Sequence, residues 1–163
     1  MVYVTSDLHG YPLKKLQNKL EEIEFNPQDH LYILGDCIDR GPDGLEIIRW
    51  IVSQSNVTLL LGNHKVMLLD NQILFDGDSI PAVLDLKGEQ RNSYCVWTRP
   101  TLNTSYYEDG KKVIFGHSPT VLFGSEFRGK PIFTDTWINI DVEAGIGLQP
   151  MILRLDDMKR NKH

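Results

Sequence analysis

Leu31-Tyr32-Ile33-Leu34-Gly35-Asp36-Cys37-Ile38-Asp39-Arg40-Gly41 joins an apolar run to a polar turn. Leu31 to Leu34 have the make-up of a short strand buried on both faces, and Gly35 ends it because it brings no side chain to pack. Asp36 is thereby placed at the strand's carboxyl end, where open α/β sheets bind their ligands. Two carboxylates and a guanidinium between Asp36 and Arg40 suit a cation site beside an anion site. Metal plus phosphate is the simplest chemistry that uses both. On this loop alone a second reading is equally good, with Asp36 and Asp39 as turn residues ahead of Gly41 and Pro42 and Arg40 as a surface charge.

Three further stretches weigh against that second reading. Val2-Tyr3-Val4 leads into Asp7-Leu8-His9-Gly10, Val57 to Leu61 leads into Gly62-Asn63-His64, and Lys112 to Phe115 leads into Gly116-His117-Ser118-Pro119. Each is a strand-forming run cut by a glycine or small polar residue, with metal-ligand residue types immediately after. Delivery of Asp, His, Asn and His to one edge by successive strands is hard to explain by packing. Between the first two strands the period changes. Leu13, Leu16, Leu20 and Ile23 form one helical stripe behind Pro12, while Lys14, Lys15, Asn18, Lys19 and Glu22 face outward. Strand, ligand loop, helix and the turn Asn26-Pro27-Gln28-Asp29 make a βαβ crossover. His30 falls at the far end of its strand from Asp36, as a surface histidine. Leu45 to about Gln54 reads as a second helix, and Met67-Leu68-Leu69 suggests a third whose N-terminus faces the site and favours anions.

The chain of 163 residues, 41% hydrophobic, is sized for one domain with a sizeable core. The longest apolar runs fall well short of the roughly 18 residues of a membrane span. The N-terminus has no charged-then-apolar signal pattern, and two cysteines, Cys37 and Cys95, fit a reducing compartment, so the expectation is cytoplasmic. Cys37 reads as a small core residue. A net charge of −5 argues against general nucleic-acid binding, which needs a basic face. Any affinity for phosphate is therefore local.

Asp7-x-His9, Gly35-Asp36-x-x-Asp39-Arg40-Gly41, Gly62-Asn63-His64 and Gly116-His117 resemble the signature blocks of the calcineurin-like metallophosphoesterases. The spelling is closest to the phosphoprotein phosphatase branch, with its bacterial Ser/Thr phosphatases and the similar symmetrical diadenosine tetraphosphate hydrolases. The resemblance holds to about Asp70 and returns from Trp97 to the end. It implies an α/β fold, a sandwich of two β-sheets flanked by helices, over residues 1–155. Residues 71–96 stand as a shortened cap region and 156–163 as a charged, frayed tail.

The same resemblance implies two divalent ions, and hard oxygen plus imidazole donors suit Mn, Fe or Zn. Asp7, His9 and Asp36 would hold the first ion, and Asp36 would be shared with a second held by Asn63 and His117. Arg40 and Arg99, the latter in Trp97-Thr98-Arg99, would grip phosphoryl oxygens, and His64 would give a proton to the leaving group, oriented by Asp39. Two departures stand out. Lys65 replaces the glutamate that usually follows Gly-Asn-His, and a metal-binding histidine of the cap region has no counterpart among His9, His30, His64, His117 and His163. The second ion site is therefore expected to be weakened. The substrates expected are phosphoserine/phosphothreonine proteins, small phosphate esters or dinucleoside polyphosphates. The rival expectation is an impaired relative that binds metal or a partner. Loss of a strand would leave a sheet edge open to another chain, so monomer and dimer both fit.

Overall fold

A computed structural model describes residues 1–62, 99–106 and 109–160. The chain runs β1 (Val2–Ser6), α1 (Leu13–Glu22), β2 (His30–Gly35), α2 (Gly44–Ser53), β3 (Val57–Leu61), β4 (Val113–Phe115), β5 (Ile132–Phe133), β6 (Trp137–Asn139), β7 (Leu153–Arg154) and β8 (Lys159–Arg160). These strands form a five-stranded sheet ordered β3-β2-β1-β7-β8 and a three-stranded sheet ordered β4-β6-β5. β1 pairs parallel with β2, Val2 opposite His30 through Ser6 opposite Leu34, and β2 pairs parallel with β3. Two successive βαβ units thus set the carboxyl ends of β1 and β2 side by side. The expected sandwich of two sheets with flanking helices is present, in the parallel register that the crossover pattern requires.

Alternation along the strands divides the core in two. Leu31 and Ile33 are fully buried in a cluster with Tyr3, Leu8, Leu16, Leu20, Ile47 and Ile51, which packs the five-stranded sheet on its helices. Tyr32 and Leu34 point the other way, against Val4, Ile138, Ile140 and Leu153, where the two sheets meet. This is why the Leu31 run is apolar at every position. Cys37 is wholly buried in the helix-side cluster, a core residue as expected.

α1 follows the stripe read from the sequence, with Leu16 and Leu20 buried, and α2 forms where a second helix was expected, burying Ile47 and Ile51. α1 starts behind Pro12, and the first N–H of the helix, on Leu13, is taken at 2.9 Å by the Asp43 carboxylate from the loop after β2. Lys19 departs from expectation: it is buried, with its ammonium pulled below its usual range mainly by that burial. Its long stem continues the apolar stripe by one position, as lysine can.

One other expectation is corrected, and two strand placements are added. β1, β2 and β3 lie in the five-stranded sheet, whereas β4 lies in the three-stranded one, parallel to β6. β5, only two residues long, carried no sequence signal. Nor is the whole of 156–163 a frayed tail: Lys159 and Arg160 pair with β7, and Arg154 is clamped to Asp157 at the turn between them. The third helix suggested from Met67 and the cap region 71–96 lie outside the described residues. Among the described residues no helix is long and apolar enough to cross a membrane.

Candidate active site

The loops after β1 and β2 are zipped to each other by their backbones. Asp7 N–H donates to the Leu34 carbonyl at 2.9 Å, His9 N–H to the Asp36 carbonyl at 2.9 Å, and Gly10 N–H to the Cys37 carbonyl at 2.7 Å. Parallel pairing thus continues one step beyond the strands and presses two carboxylates together. Asp7 Oδ1 accepts the Asp36 N–H at 3.3 Å, and Asp7 Oδ2 accepts the His117 N–H at 2.7 Å. That second bond ties the end of β4 to the end of β1, so the two sheets converge at the site although they pack as separate layers. Gly35 and Gly116 make the approach possible. A Cβ on Gly116 would run into Asp7 Oδ2 and lie 2.7 Å from the Ser6 side chain, and one on Gly35 would run into the Asp7 carboxylate.

Ligand atoms of Asp7, His9 and Asp36 all lie within 4.8 Å of one another, and all three residues are buried. His9 Nδ1 sits 3.2 Å from the Ile38 carbonyl. A carbonyl can only accept, so the proton is on Nδ1 and the lone pair on Nε2. This is the tautomer and ring orientation of a metal ligand held from behind. Backbone strain is concentrated in the same place. Asp7, His9, Asp39, Arg40 and His117 all take positive φ, between 43° and 72°. Elsewhere among the described non-glycine residues only Glu24, Glu143 and Met158 do so. Each such residue costs on the order of 1–3 kcal/mol, which the surrounding fold must offset.

Electrostatics show what the cluster lacks. Burial pushes the Asp7 carboxyl up to about 6, the charge of Asp36 adds to it, and the N–H groups of His117 and Asp36 oppose it. The Asp141 carboxyl, also buried, is pushed up to about 8 by desolvation and by Asp7, with Arg40 pulling the other way. Buried carboxylates at this spacing, beside an imidazole lone pair, fit a divalent cation, which would neutralise them.

A pH prediction follows for the metal-free protein. Both carboxyls hold protons in the folded state at pH values where the unfolded chain has released them. Their contribution is therefore complete at acid pH and is lost as pH rises through the folded values. Urea unfolding from about pH 5 to about pH 9 should show stability falling. Asp7→Asn or Asp141→Asn should flatten the fall. A profile that is already flat, or that rises, would contradict the electrostatic picture.

Of the residues expected from sequence, Asp7, His9, Asp36 and the backbone of His117 come together. Asp39, Arg40 and Arg99 are exposed, Arg40 close enough to Asp141 to influence it, and Arg99 lining a cavity with Ser118, the neighbour of His117. Asn63 and His64 lie outside the described residues. His30 bonds to Thr58 Oγ1 at 2.8 Å at the opposite end of β2, away from the cluster. Sequence reasoning missed Asp141. It follows Trp137-Ile138-Asn139-Ile140, so it carried the same signal as Asp7 and Asp36, a carboxylate just beyond an apolar strand. Asn139 holds it in place: its Oδ1 accepts the Asp141 N–H at 2.9 Å while its Nδ2 donates to the Ser118 carbonyl at 2.8 Å.

Known proteins similar to this chain bear on its family and its fold. The chain is 33% identical over 123 residues to a symmetrical bis(5'-nucleosyl)-tetraphosphatase of Pseudomonas syringae pv. syringae (strain B728a), covering 72% of this chain and 41% of that protein. It is 44% identical over 69 residues to a protein of the same description from Erwinia tasmaniensis, covering 41% of this chain and 25% of the relative. The chain thus spans about two fifths or less of these curated relatives. A crystal structure provisionally described as a diadenosine tetraphosphatase superposes with a TM-score of 0.64 at 14% identity, over 98% of this chain and 91% of the other, which confirms the fold. The sequence profile of the calcineurin-like phosphoesterases matches residues 1–143, and the chain belongs to that family.

Proposed function

We infer that this chain hydrolyses phosphate esters with the help of divalent metal, and that dinucleoside tetraphosphates are its favoured substrates. The carrying observation is the Asp7, His9 and Asp36 cluster, buried and drawn within 4.8 Å at the ends of two parallel strands. The relatives' description as symmetrical bis(5'-nucleosyl)-tetraphosphatases supports the substrate class over phosphoproteins. When bound, the metal would supply a water activated at neutral pH and positive charge for the phosphoryl oxygens. The protein's own groups do the rest. Asp7, His9 and Asp36 would hold one ion, and Asp36, Asn63 and His117 would hold the other. Arg40 and Arg99 grip the phosphoryl oxygens and stabilise the charge that develops on them. His64 protonates the leaving group, positioned by Asp39. Assaying a dinucleoside tetraphosphate, a phosphopeptide and an aryl phosphate side by side with Mn²⁺ tests the reading. The tetraphosphate should be turned over with the highest kcat/KM. Equal or better turnover of the phosphopeptide would overturn the substrate assignment.

The second ion site is the weaker one, because one imidazole donor of the family pattern has no histidine to supply it here. Calorimetric titration of metal-free protein with Mn²⁺ should give one tight site and one clearly weaker. Two sites of equal affinity would mean that another group replaces the missing histidine. The buried Asp141, close enough to Asp7 for their charges to interact, is the first residue to examine in that case.

A further inference from the structure

A cavity of about 320 Å³ opens beside the cluster, lined by Arg99, Pro100, Leu102, Ser118, Leu122 and Phe123 among others. Ser118 directly follows His117, so the cavity wall lies one residue, about 3.8 Å of chain, from the loop bonded to Asp7. Its lining is mostly apolar, with one guanidinium. Leu122 and Leu102 are 71% and 48% exposed, large apolar side chains left uncovered next to a polar site. The floor is braced from behind. Phe123 packs its ring 5.8 Å from that of Trp137, which is wholly buried with its indole N–H on the Thr104 carbonyl at 2.9 Å. Thr120, which opens the short 3-10 helix Thr120–Phe123, bonds through its hydroxyl to the Phe127 carbonyl at 2.9 Å and through its N–H to the Asp141 carbonyl at 3.0 Å.

Any group that fills this cavity while its phosphate sits at the cluster must be compact, flat-faced and largely apolar, and joined to an anion that Arg99 can meet. A nucleobase with its ribose has these properties, since bases stack on aromatic and guanidinium faces regardless of sequence. The volume is at the low end of roughly 300–1,000 Å³ for small-molecule pockets, room for one nucleoside and too little for an extended peptide. We propose that this cavity is the nucleoside subsite, with the base against Leu122 and Phe123 and Arg99 at the phosphate end. The proposal rests on the phosphoesterase reading above and deepens it by naming the part of the substrate that is recognised.

The test is binding of adenosine 5'-monophosphate against inorganic phosphate, by calorimetry on Mn²⁺-loaded protein. The parent should prefer the nucleotide by about tenfold or more, and Leu122→Glu and Leu102→Glu should each erase most of that preference. Both side chains are largely exposed, so neither change threatens folding. Equal affinity of the parent for the two ligands would overturn the subsite. So would a preference that survives both substitutions. In either case continued metal-dependent hydrolysis of an aryl phosphate would leave the phosphoesterase reading standing. If the Mn²⁺-loaded parent hydrolyses no phosphate ester, that reading falls and the subsite falls with it.

Discussion

On the reading proposed above, Asp36→Asn should lower turnover of an aryl phosphate by at least about 10³-fold, because a carboxylate shared by two ions would support several kcal/mol of charge stabilisation and each 1.36 kcal/mol is a factor of ten. The substitution is close to isosteric, and Asp36 is buried to 1% exposure with its backbone N–H held by Asp7 and its carbonyl by His9. The loop should therefore keep its shape. Removing one of two crowded carboxylates also relieves the repulsion that raises Asp7. The metal-free variant should unfold at or above the parent's temperature while its bound metal falls sharply. A loss of activity accompanied by a lower melting temperature would instead mark Asp36 as a structural residue.

The second large effect is expected at His64. Proton donation to a leaving group contributes about 10²–10⁴-fold, so His64→Asn should reduce turnover by that amount with metal content unchanged. The loss should be greatest for alkyl esters, whose poor leaving groups depend most on a proton. It should be smallest for nitrophenyl esters. Equal turnover of both by variant and parent would remove His64 from the acid role and leave Asp39 without the orienting task inferred for it.

How much was legible in the sequence varied with how local the cause was. Strand and helix assignments at the N-terminal half rested on runs such as Leu31 to Leu34 and the Leu13, Leu16, Leu20 stripe, where pattern and burial have the same origin. The ligand loops were legible for a similar reason: after β1 and β2 the chain must turn, and Asp7, His9 and Asp36 sit on that turn. Which sheet β4 joined was not legible, because strand pairing across 24 residues, Val113 with Trp137, leaves no mark on either segment alone. Lys19 misled because its residue type reports only the charged end of a side chain whose stem is buried. β8 was hidden in a charged segment: it pairs with β7 across a turn closed by the Arg154–Asp157 ion pair and by the Lys159 N–H on Asp157 Oδ1 at 3.1 Å, neither of which is a hydrophobic signal. Asp141 was visible as a strand-end carboxylate, yet the resemblance had already supplied a ligand set without it. Its closeness to Asp7 is a tertiary fact, which appears only when the two sheets are stacked.

The positive φ angles at Asp7, His9, Asp39, Arg40 and His117 belong to the same class of information. Asp and His enter the left-handed region more readily than most non-glycine residues, but they are common in other conformations too, so residue type alone could not announce the strain. Its concentration at the cluster is nonetheless the pattern of a site whose side-chain placement outweighs local backbone comfort.

The claim that matters most is that this cluster holds a divalent ion on which hydrolysis depends. It is tested most directly by stripping the protein with chelator and adding back Mn²⁺ while following bound metal and aryl phosphate turnover together, in parent and in Asp36→Asn. The account predicts no turnover in the stripped parent, recovery over the same Mn²⁺ range in which the ion binds, and neither binding nor recovery of that kind in the variant. Turnover that persists in chelator, or Mn²⁺ binding unaltered by Asp36→Asn, would contradict it.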